Sequence, residues 1–453
     1  MIDYIAPVVQ SKLPYWSLLD YVSSGWQGIE TNITKVIKKE DEETTKSYDY
    51  RKDKLTYFDN FNPILNGISG LVFAKPVTLS ENTPQQIINL ADDIDNQGTQ
   101  LNTFMGEQLN KAMKKGISFF MIDMKKAEVP KNNQEVKAQN LRPYFVDIEP
   151  ENVTAWKSDE NGLTMVKIKE VVQVEDPKNI YAMEDVEQYR VLYRGTWEIW
   201  QHINGSDVLI EDGLTNLDFI PFYVLNLKKE TPMTAKMPFY DLAKLCIRHA
   251  QMFTDLSHSL HLANVPMLKL IGFDQEELGS FVIGANKAIV TSNEDATAEY
   301  LTLDTNAVEN TNVVLEKLEK QMLSEGLNVL SDDNTSNVSA TEANIDANQK
   351  QSKLNKWVNE LENTFNNALE GLGAYYGVEG GSVNIDADIL SVPLNAQEIQ
   401  SYTNMVLNGG LSYETLFGML KRRKNITTDN TWQEEKVLIE TDGLLSIKGE
   451  GNE

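Results

Sequence analysis

Residues 240–264 read YDLAKLCIRHAQMFTDLSHSLHLAN. Leu242, Leu245, Cys246, His249, Met252, Phe253, Leu256, Leu260 and Ala263 recur at steps of three and four, the spacing that puts side chains on one face of an α-helix. The stretch predicts a single amphipathic helix of roughly 37 Å, ended by Pro266, whose ring cannot continue it. Residues 267–303 are short, strand-like and punctuated by Gly272, Gly279 and Gly284. A second helix is expected over 307–325, with Val308, Val314, Leu315, Leu318, Met322 and Leu323 as its apolar positions and Gly326 as its stop.

Residues 327–338, LNVLSDDNTSNV, are dominated by polar turn formers and cannot bury much surface. They predict a mobile loop. Ser339-Ala340-Thr341-Glu342 then forms a capping box, in which a hydroxyl accepts from the third helical amide while the glutamate reaches back. It opens a helix carrying Ala343, Ala347, Leu354, Trp357, Val358, Leu361, Phe365, Leu369 and Leu372. Unbroken from Ala340 to Tyr376 it would measure about 55 Å, more than a compact domain needs. An elongated subunit is expected.

Upstream, Thr99 to Lys115 has helical spacing with Gly116 as a stop, and 117–122 reads as a buried strand. A polar loop over 130–139 precedes strand signals at Tyr144-Phe145-Val146, over 164–174 and at Tyr189, Val191 and Tyr193. Gly195 turns the last of these toward Trp197-Glu198-Ile199-Trp200 as a hairpin. This part is an α+β body. Downstream, 382–392 reads as a strand leading to Pro393, helices begin at Asn395-Ala396-Gln397-Glu398 and after Ser412, and the tail over 441–453 is polar and expected to be disordered.

The chain has 453 residues, 41% hydrophobic and 24% charged, as folded soluble proteins do. No apolar run approaches the length of a bilayer helix, and the start, Met1-Ile2-Asp3-Tyr4, shows no basic segment followed by an apolar one. The expectation is a protein that remains in the cytosol or in whatever is assembled there. Cys246 is the only cysteine, which excludes an intrachain disulfide and a thiolate metal cage. A net charge of -26 argues against a protein that grips nucleic acid, because phosphate binding draws on Lys and Arg. It is compatible with a surface past which DNA slides without stalling.

Candidate chemistry is sparse. His258 and His261 share a helix face at a spacing that can hold a metal, with His249 further back, but no carboxylate sits at the next matching step. The histidines are read as packed or solvated. Asp92-Asp93-x-Asp95 and Asp386-x-Asp388 could be drawn as carboxylate pairs for magnesium, yet a chain with 67 acidic residues makes such pairs cheaply, and they are read as solvated faces. No Gly-x-x-x-x-Gly-Lys-Ser/Thr phosphate cradle is present. Lys421-Arg422-Arg423-Lys424, the densest basic cluster, is read first as charge complementing a helix C-terminus and second as a DNA contact. The mixed run over 35–43 is read as a solvated surface, and Trp197, Trp200 and Trp357 as core or interface residues.

Several strings, taken in order, resemble the portal proteins of tailed bacteriophages. Tyr50-Arg51 through Phe58 and Asn60, with Gly67-Ile68-Ser69-Gly70-Leu71-Val72-Phe73-Ala74-Lys75-Pro76, is similar to an N-terminal portal signature that closes an early helix. Pro143-Tyr144, Ile148-Glu149-Pro150-Glu151-Asn152-Val153 and Trp156 resemble the passage from helix to sheet in portal wings. Ile220-Pro221-Phe222 and Asp241-Leu242-Ala243 resemble the approach to the stem, Ala340-Thr341-Glu342-Ala343 the start of the long helix, and Asn408-Gly409-Gly410-Leu411-Ser412-Tyr413-Glu414-Thr415 a turn between crown helices. Each string is short. Their shared order, from about Tyr15 to Leu420, carries the resemblance.

The resemblance implies an elongated α+β subunit: a wing body of mixed helix and sheet over 1–238, stem helices over 239–264 and 307–326 bracketing a small α/β clip at 265–306, a tunnel loop at 327–339, a long wing helix over 340–376, a return strand over 377–394 and a helical crown with a disordered tail over 395–453. It implies a ring, usually of twelve subunits, at one capsid vertex of a virion assembled in the host cytoplasm, with no chemistry and no cofactor of its own. Double-stranded DNA would pass through it during packaging and ejection. The implied partners are the terminase large subunit, a head-completion or adaptor protein, and the major capsid and scaffolding proteins, with no membrane. Asn328, Ser331, Asp332, Asp333, Asn334, Thr335, Ser336 and Asn337 would face DNA in the tunnel, and Lys421, Arg422, Arg423 and Lys424 in the crown. The tunnel residues include no Lys or Arg, so they would not pull on phosphates. The competing reading is a metal-dependent nucleic-acid-processing enzyme of a phage operon.

Overall fold

The computed structural model describes residues 1–125, 141–175, 179, 181–215, 217–264, 267–273, 293, 295–301, 305–328, 340–386, 396–422, 425, 426, 428 and 430–449; for 261–267, 300, 301, 305–308, 327, 328, 340–352, 396–398, 422 and 442–449 it describes the backbone alone. The fold is α+β. Its strands are β1 (Thr78–Leu79), β2 (Ile117–Met124), β3 (Pro143–Ile148), β4 (Val153–Asp159), β5 (Gly162–Glu175), β6 (Met183–Tyr193), β7 (Thr196–Ile203), β8 (Ser206–Leu214), β9 (Phe222–Asn226), β10 (Lys229–Thr231), β11 (Thr234–Ala235), β12 (Met267–Ile271), β13 (Thr297–Leu301) and β14 (Val383–Asn384).

The body is organised about β2, the middle strand of an antiparallel sheet ordered β3-β2-β9. Six consecutive residues, Ile117 to Ile122, are buried, because apolar layers cover both faces of the pleat. Phe119 and Met121 enter one core with Phe222, Ile148, Val166, Ile168 and Leu192, which joins the small sheet to an antiparallel meander ordered β4-β5-β6-β7-β8. Phe120 and Ile122 enter the other core with Phe104, Phe145, Tyr223, Leu361 and Phe365. Each fully buried Phe there contributes about 1.5–3 kcal/mol.

Helix Leu101–Lys115 precedes β2 and buries Leu101, Phe104, Met105, Leu109 and Ala112, the positions that its spacing predicts. Gly116 ends it in the left-handed conformation (φ 85°), and a Cβ there would stand 2.3 Å from the Lys236 carbonyl oxygen. Glycine is required on both grounds. The predicted β6–β7 hairpin forms about Gly195 (φ 79°). Trp197 pairs across to Gly213, whose missing side chain leaves room for the indole. The first residues cross the meander: the Ala6 amide donates to the Thr154 carbonyl (2.8 Å), and the Lys167 ammonium donates to the carbonyls of Ile2 (2.7 Å) and Tyr4.

Several expectations are corrected. The second helix of the central pair spans Thr305–Asn328 and runs through Gly326. That glycine is a contact point, since a Cβ on it would lie 2.6 Å from Cγ2 of Ile64. Val314 and Leu323 are exposed, and Leu315, Leu318 and Met322 alone of the described apolar positions turn inward. The strand expected over 382–392 is only Val383–Asn384 among the described residues, held by pairing with β1. The tail expected to be disordered is helix Trp432–Gly449 as far as it is described. A second capping box explains that helix: the Thr431 amide and hydroxyl donate to the Glu434 carboxylate (2.8 and 3.0 Å), whose own amide donates back to Thr431 Oγ1 (3.4 Å). Glu43, read as part of a solvated run, is engaged instead by the Arg51 guanidinium at 2.8 Å.

Candidate functional site

Helices Tyr240–Asn264 and Thr305–Asn328 form an antiparallel pair, because the chain leaves the first through β12 and returns through its antiparallel partner β13, Met267 lying opposite Leu301 and Ile271 opposite Thr297. The first helix buries Leu242, Ala243, Cys246, Ile247, Ala250 and Leu256. Midway along the pair, His249 Nε2 lies 3.1 Å from Glu319 Oε1. The His249 ring is 1% exposed, stacks on Phe253 at 6.1 Å and meets the Phe58 edge at 5.6 Å. Burial pushes the Cys246 thiol up to about 12, so no thiolate is available for chemistry at neutral pH.

The second half of the first helix is clamped by the N-terminal helices. Gln251 Nε2 donates to the Val36 carbonyl (2.8 Å), and Arg51 bridges Asp255 (3.4 Å) and Glu43, whose carboxyl the Arg51 hydrogen bond holds below its usual range. Tyr50 and His258 rings meet at 5.5 Å. The stretch from Tyr50 to Phe58, singled out for its resemblance, is therefore the surface on which the first helix of the pair rests.

The third part is helix Ala340–Tyr376, 37 residues without a break. From Lys353 onward it buries Leu354, Trp357, Val358, Leu361, Phe365, Leu369 and Leu372. Phe365 meets Phe104, Phe120 and Phe145. Gly371 passes so close to Tyr223 that a Cβ would overlap the phenol oxygen, and the Thr364 hydroxyl, which donates to the Glu360 carbonyl of its own helix (2.8 Å), lies 3.4 Å from the Val224 carbonyl oxygen. One end of a very long helix is thus fixed to the sheet that β2 centres.

An ion cluster around the buried Lys115 braces the end of helix Leu101–Lys115. Lys115, with 1% of its side chain exposed, reaches Glu149 (2.8 Å), Glu151 (2.8 Å) and Asp20 (3.2 Å), while Lys111 reaches Glu149 (2.7 Å). Burial disfavours the Glu149 carboxylate, yet the Lys111 and Lys115 charges outweigh it and hold its pKa at about 2. Sequence reading missed this cluster. Its signal was three lysines closing one helix and two glutamates flanking Pro150. Beside it, an open cleft of about 700 Å³ is lined by Trp16, Asp20, Gln27, Asn32 and Glu151.

Of the anticipated DNA-facing residues, Asn328 ends its helix, and Ser331, Asp332, Asp333, Asn334, Thr335, Ser336 and Asn337 lie outside the described residues. Lys421 Nζ donates to the Asn430 carbonyl (2.9 Å), which ties two C-terminal helices together. Arg422 ends helix Tyr413–Arg422, and Arg423 and Lys424 lie outside the described residues. Asp93 and Asp95 accept from the amides of Gly98 and of Gln97 and Thr99, organising a turn, and Asp93 also pairs with Arg142 (2.5 Å). Asp386 pairs with Lys75, and Asp388 lies outside the described residues. Among the described residues no group of three or more His, Cys, Asp or Glu is placed to hold a metal, and no helix is long and apolar enough to cross a membrane.

Residues 238–376, which hold the helix pair and the long helix, match a family described as a domain of unknown function, DUF4055. No curated protein sequence matches the chain. Similar solved structures include a chain from the virion of a native gene transfer agent particle, with 13% identity, a TM-score of 0.40, and coverage of 79% of this chain and 88% of that one. Chains from the neck of the empty particle computed with C6 symmetry (12% identity, TM-score 0.42) and of the native particle computed with C12 symmetry (13%, 0.39) cover the same shares.

Proposed function

We propose that this chain is the repeating subunit of a phage portal, a ring at one capsid vertex through which double-stranded DNA is packaged and later ejected. The observation that carries the reading is the antiparallel pair Tyr240–Asn264 and Thr305–Asn328, joined at one end by the β12–β13 hairpin and followed by a 37-residue helix whose far half is embedded in the body. A pair held by the N-terminal helices along its first member and exposed along Val313, Val314 and Leu323 of its second is suited to packing against copies of itself around an axis.

In this reading the pair is the stem, the hairpin between its helices is the clip that meets the terminase motor and then the adaptor protein, and helices Ala396–Leu407, Tyr413–Arg422 and Trp432–Gly449 form the crown. Residues 327–339 would border the channel. The net charge of -26 fits a conduit that repels phosphates. The chain acts by assembly and by docking capsid, scaffolding and motor proteins, not by catalysis.

Electron microscopy of the purified protein tests this reading. Rings with a central hole wide enough for a duplex are expected, whereas a monomer at high concentration, with and without capsid protein, contradicts it. A nuclease assay with magnesium or manganese separates the enzymatic reading: DNA cleavage abolished by Asp386→Asn and Asp388→Asn would replace this proposal.

A further inference from the structure

The chain between β9 and helix Tyr240–Asn264 carries a basic surface. Residues 228–236 read KKETPMTAK and contain the β10–β11 hairpin. The hairpin is anchored from within: Met233 and Ala235 enter the core of Trp16 and Phe119, and the buried Asn226 Nδ2 donates to the carbonyls of Thr231 (3.1 Å) and Thr234 (3.1 Å). Its lysines stay outside, Lys228, Lys229 and Lys236 all being exposed. Lys229 pairs with Ala235, and one step along the ladder the Lys236 amide donates to the Lys228 carbonyl (3.0 Å), which sets Lys228 and Lys236 opposite each other. Like charges in that relation destabilise a hairpin. The one carboxylate of the stretch, Glu230, is taken by the Lys12 ammonium (2.8 Å), which also donates to the Ala235 carbonyl (3.1 Å). Among the described residues none of the three lysines has an ion-pair partner, in a chain with 67 acidic residues against 41 Lys and Arg.

We infer that this hairpin is a docking site for a short acidic segment of another protein, whose Asp or Glu side chains supply the carboxylates that Lys228, Lys229 and Lys236 lack. A partner carboxylate between Lys228 and Lys236 turns one repulsive pair into two attractive ones. The turn costs little to order on binding, because Asn226 and the core residues already fix it. Charge also selects against duplex DNA. A duplex carries one charge per about 1.7 Å of its axis, and it would run past three lysines onto a chain of net charge -26. A short segment covers the lysines alone, and charges more than about 8 Å away are screened from it at physiological salt. The inference does not depend on the ring reading.

The test uses the full chain and a short labelled peptide that alternates Glu and Ser, acetylated and amidated at its ends, with fluorescence anisotropy as readout. The control peptide carries Gln in place of Glu. The Glu peptide should bind and the Gln peptide should not, and the triple variant Lys228→Gln, Lys229→Gln, Lys236→Gln should bind the Glu peptide at least about tenfold more weakly. Lys46→Gln, Lys157→Gln, Lys356→Gln, the same charge change at exposed lysines of other elements, should keep the affinity within about twofold. Equal binding of the two peptides, no binding, or equal loss in both triple variants overturns the proposal, the last by revealing only the effect of net charge. A labelled duplex that binds more tightly than the Glu peptide and is lost in the first triple variant overturns it in favour of nucleic acid, and self-association of the unliganded chain that vanishes in that variant overturns it in favour of contact between copies. In the unliganded chain at low salt, Lys236→Gln alone should raise the melting temperature; the absence of a rise also overturns the proposal, since Lys228 and Lys236 would then not repel.

Discussion

The rings of Phe120 and Phe365 stack with centroids 4.9 Å apart and planes 20° from parallel. Phe120 lies on the central strand β2 and Phe365 on the long helix, so this contact joins the most buried strand of the body to the most extended element of the chain. Both residues are 0% exposed. The long helix is held by a core and not by its own propensity, which would leave an isolated helix marginal in water.

Phe365→Ala removes the ring around which Phe104, Phe120 and Phe145 gather. A loss of about 3–5 kcal/mol is expected, as for other buried Phe→Ala changes. Urea unfolding should show a lower midpoint at unchanged slope.

Gly371→Ala should destabilise the protein through contact with the Tyr223 hydroxyl, by roughly the 1–3 kcal/mol of an overpacked core. That hydroxyl is buried without a hydrogen-bond partner. Tyr223→Phe alone should therefore be near neutral, and should restore part of the loss in the double variant. Additive effects in the thermodynamic cycle would show that the two positions do not touch.

Gly326→Ala distinguishes a glycine that ends a helix from one that admits a neighbour. At an exposed helical position alanine would add roughly 0.5–1 kcal/mol of stability. With Ile64 2.6 Å from the added carbon, destabilisation is expected instead, relieved in part by Ile64→Ala. Thermal unfolding of the two single variants and the double variant gives the sign directly.

The Lys115 cluster sets an acid limit. The Glu149 carboxyl is lowered in the folded state from 4.5 to about 2, so its contribution is complete above pH 4.5 and is lost as pH falls toward 2. Lys115 is disfavoured by burial, but Glu151, Asp20 and Glu149 raise its pKa above 10.5, so its share is complete below that pH and fades only above it. Lys115→Met should cost stability at neutral pH at the low end of the roughly 3–5 kcal/mol for breaking a buried pair, because the carboxylates remain partly wet. The gap between wild type and variant should narrow from pH 5 to pH 2 in thermal melts. A constant gap would show that the pairs contribute nothing.

Periodicity placed the helices well. The bounds of Tyr240–Asn264 and Ala340–Tyr376 coincide with those read from apolar spacing and from the Ser339 capping box, since long amphipathic repeats and their breaks are local properties. Strands β2, β3, β5, β6 and β7 were legible for the same reason. The C-terminal helix was missed because the Thr431–Glu434 box precedes a segment whose apolar residues fall in short runs and not at helical spacing. The site residues divide differently. The loop at 331–337 lies outside the described residues, Lys421 is engaged with a neighbouring helix, and the Lys115 cluster emerged only from residues far apart in the chain.

Alternation and spacing along the chain, which depend on neighbours three or four residues away, were enough to specify an α+β body followed by two medium helices about a short strand-like insert and then a much longer one. Which glycine ends a helix and which admits a side chain, and which carboxylates surround Lys115, depended on distant partners: Ile64 for Gly326, and Asp20, Glu149 and Glu151 for the lysine. Those choices follow from close contact and desolvation between segments remote in sequence, and no local pattern encodes them.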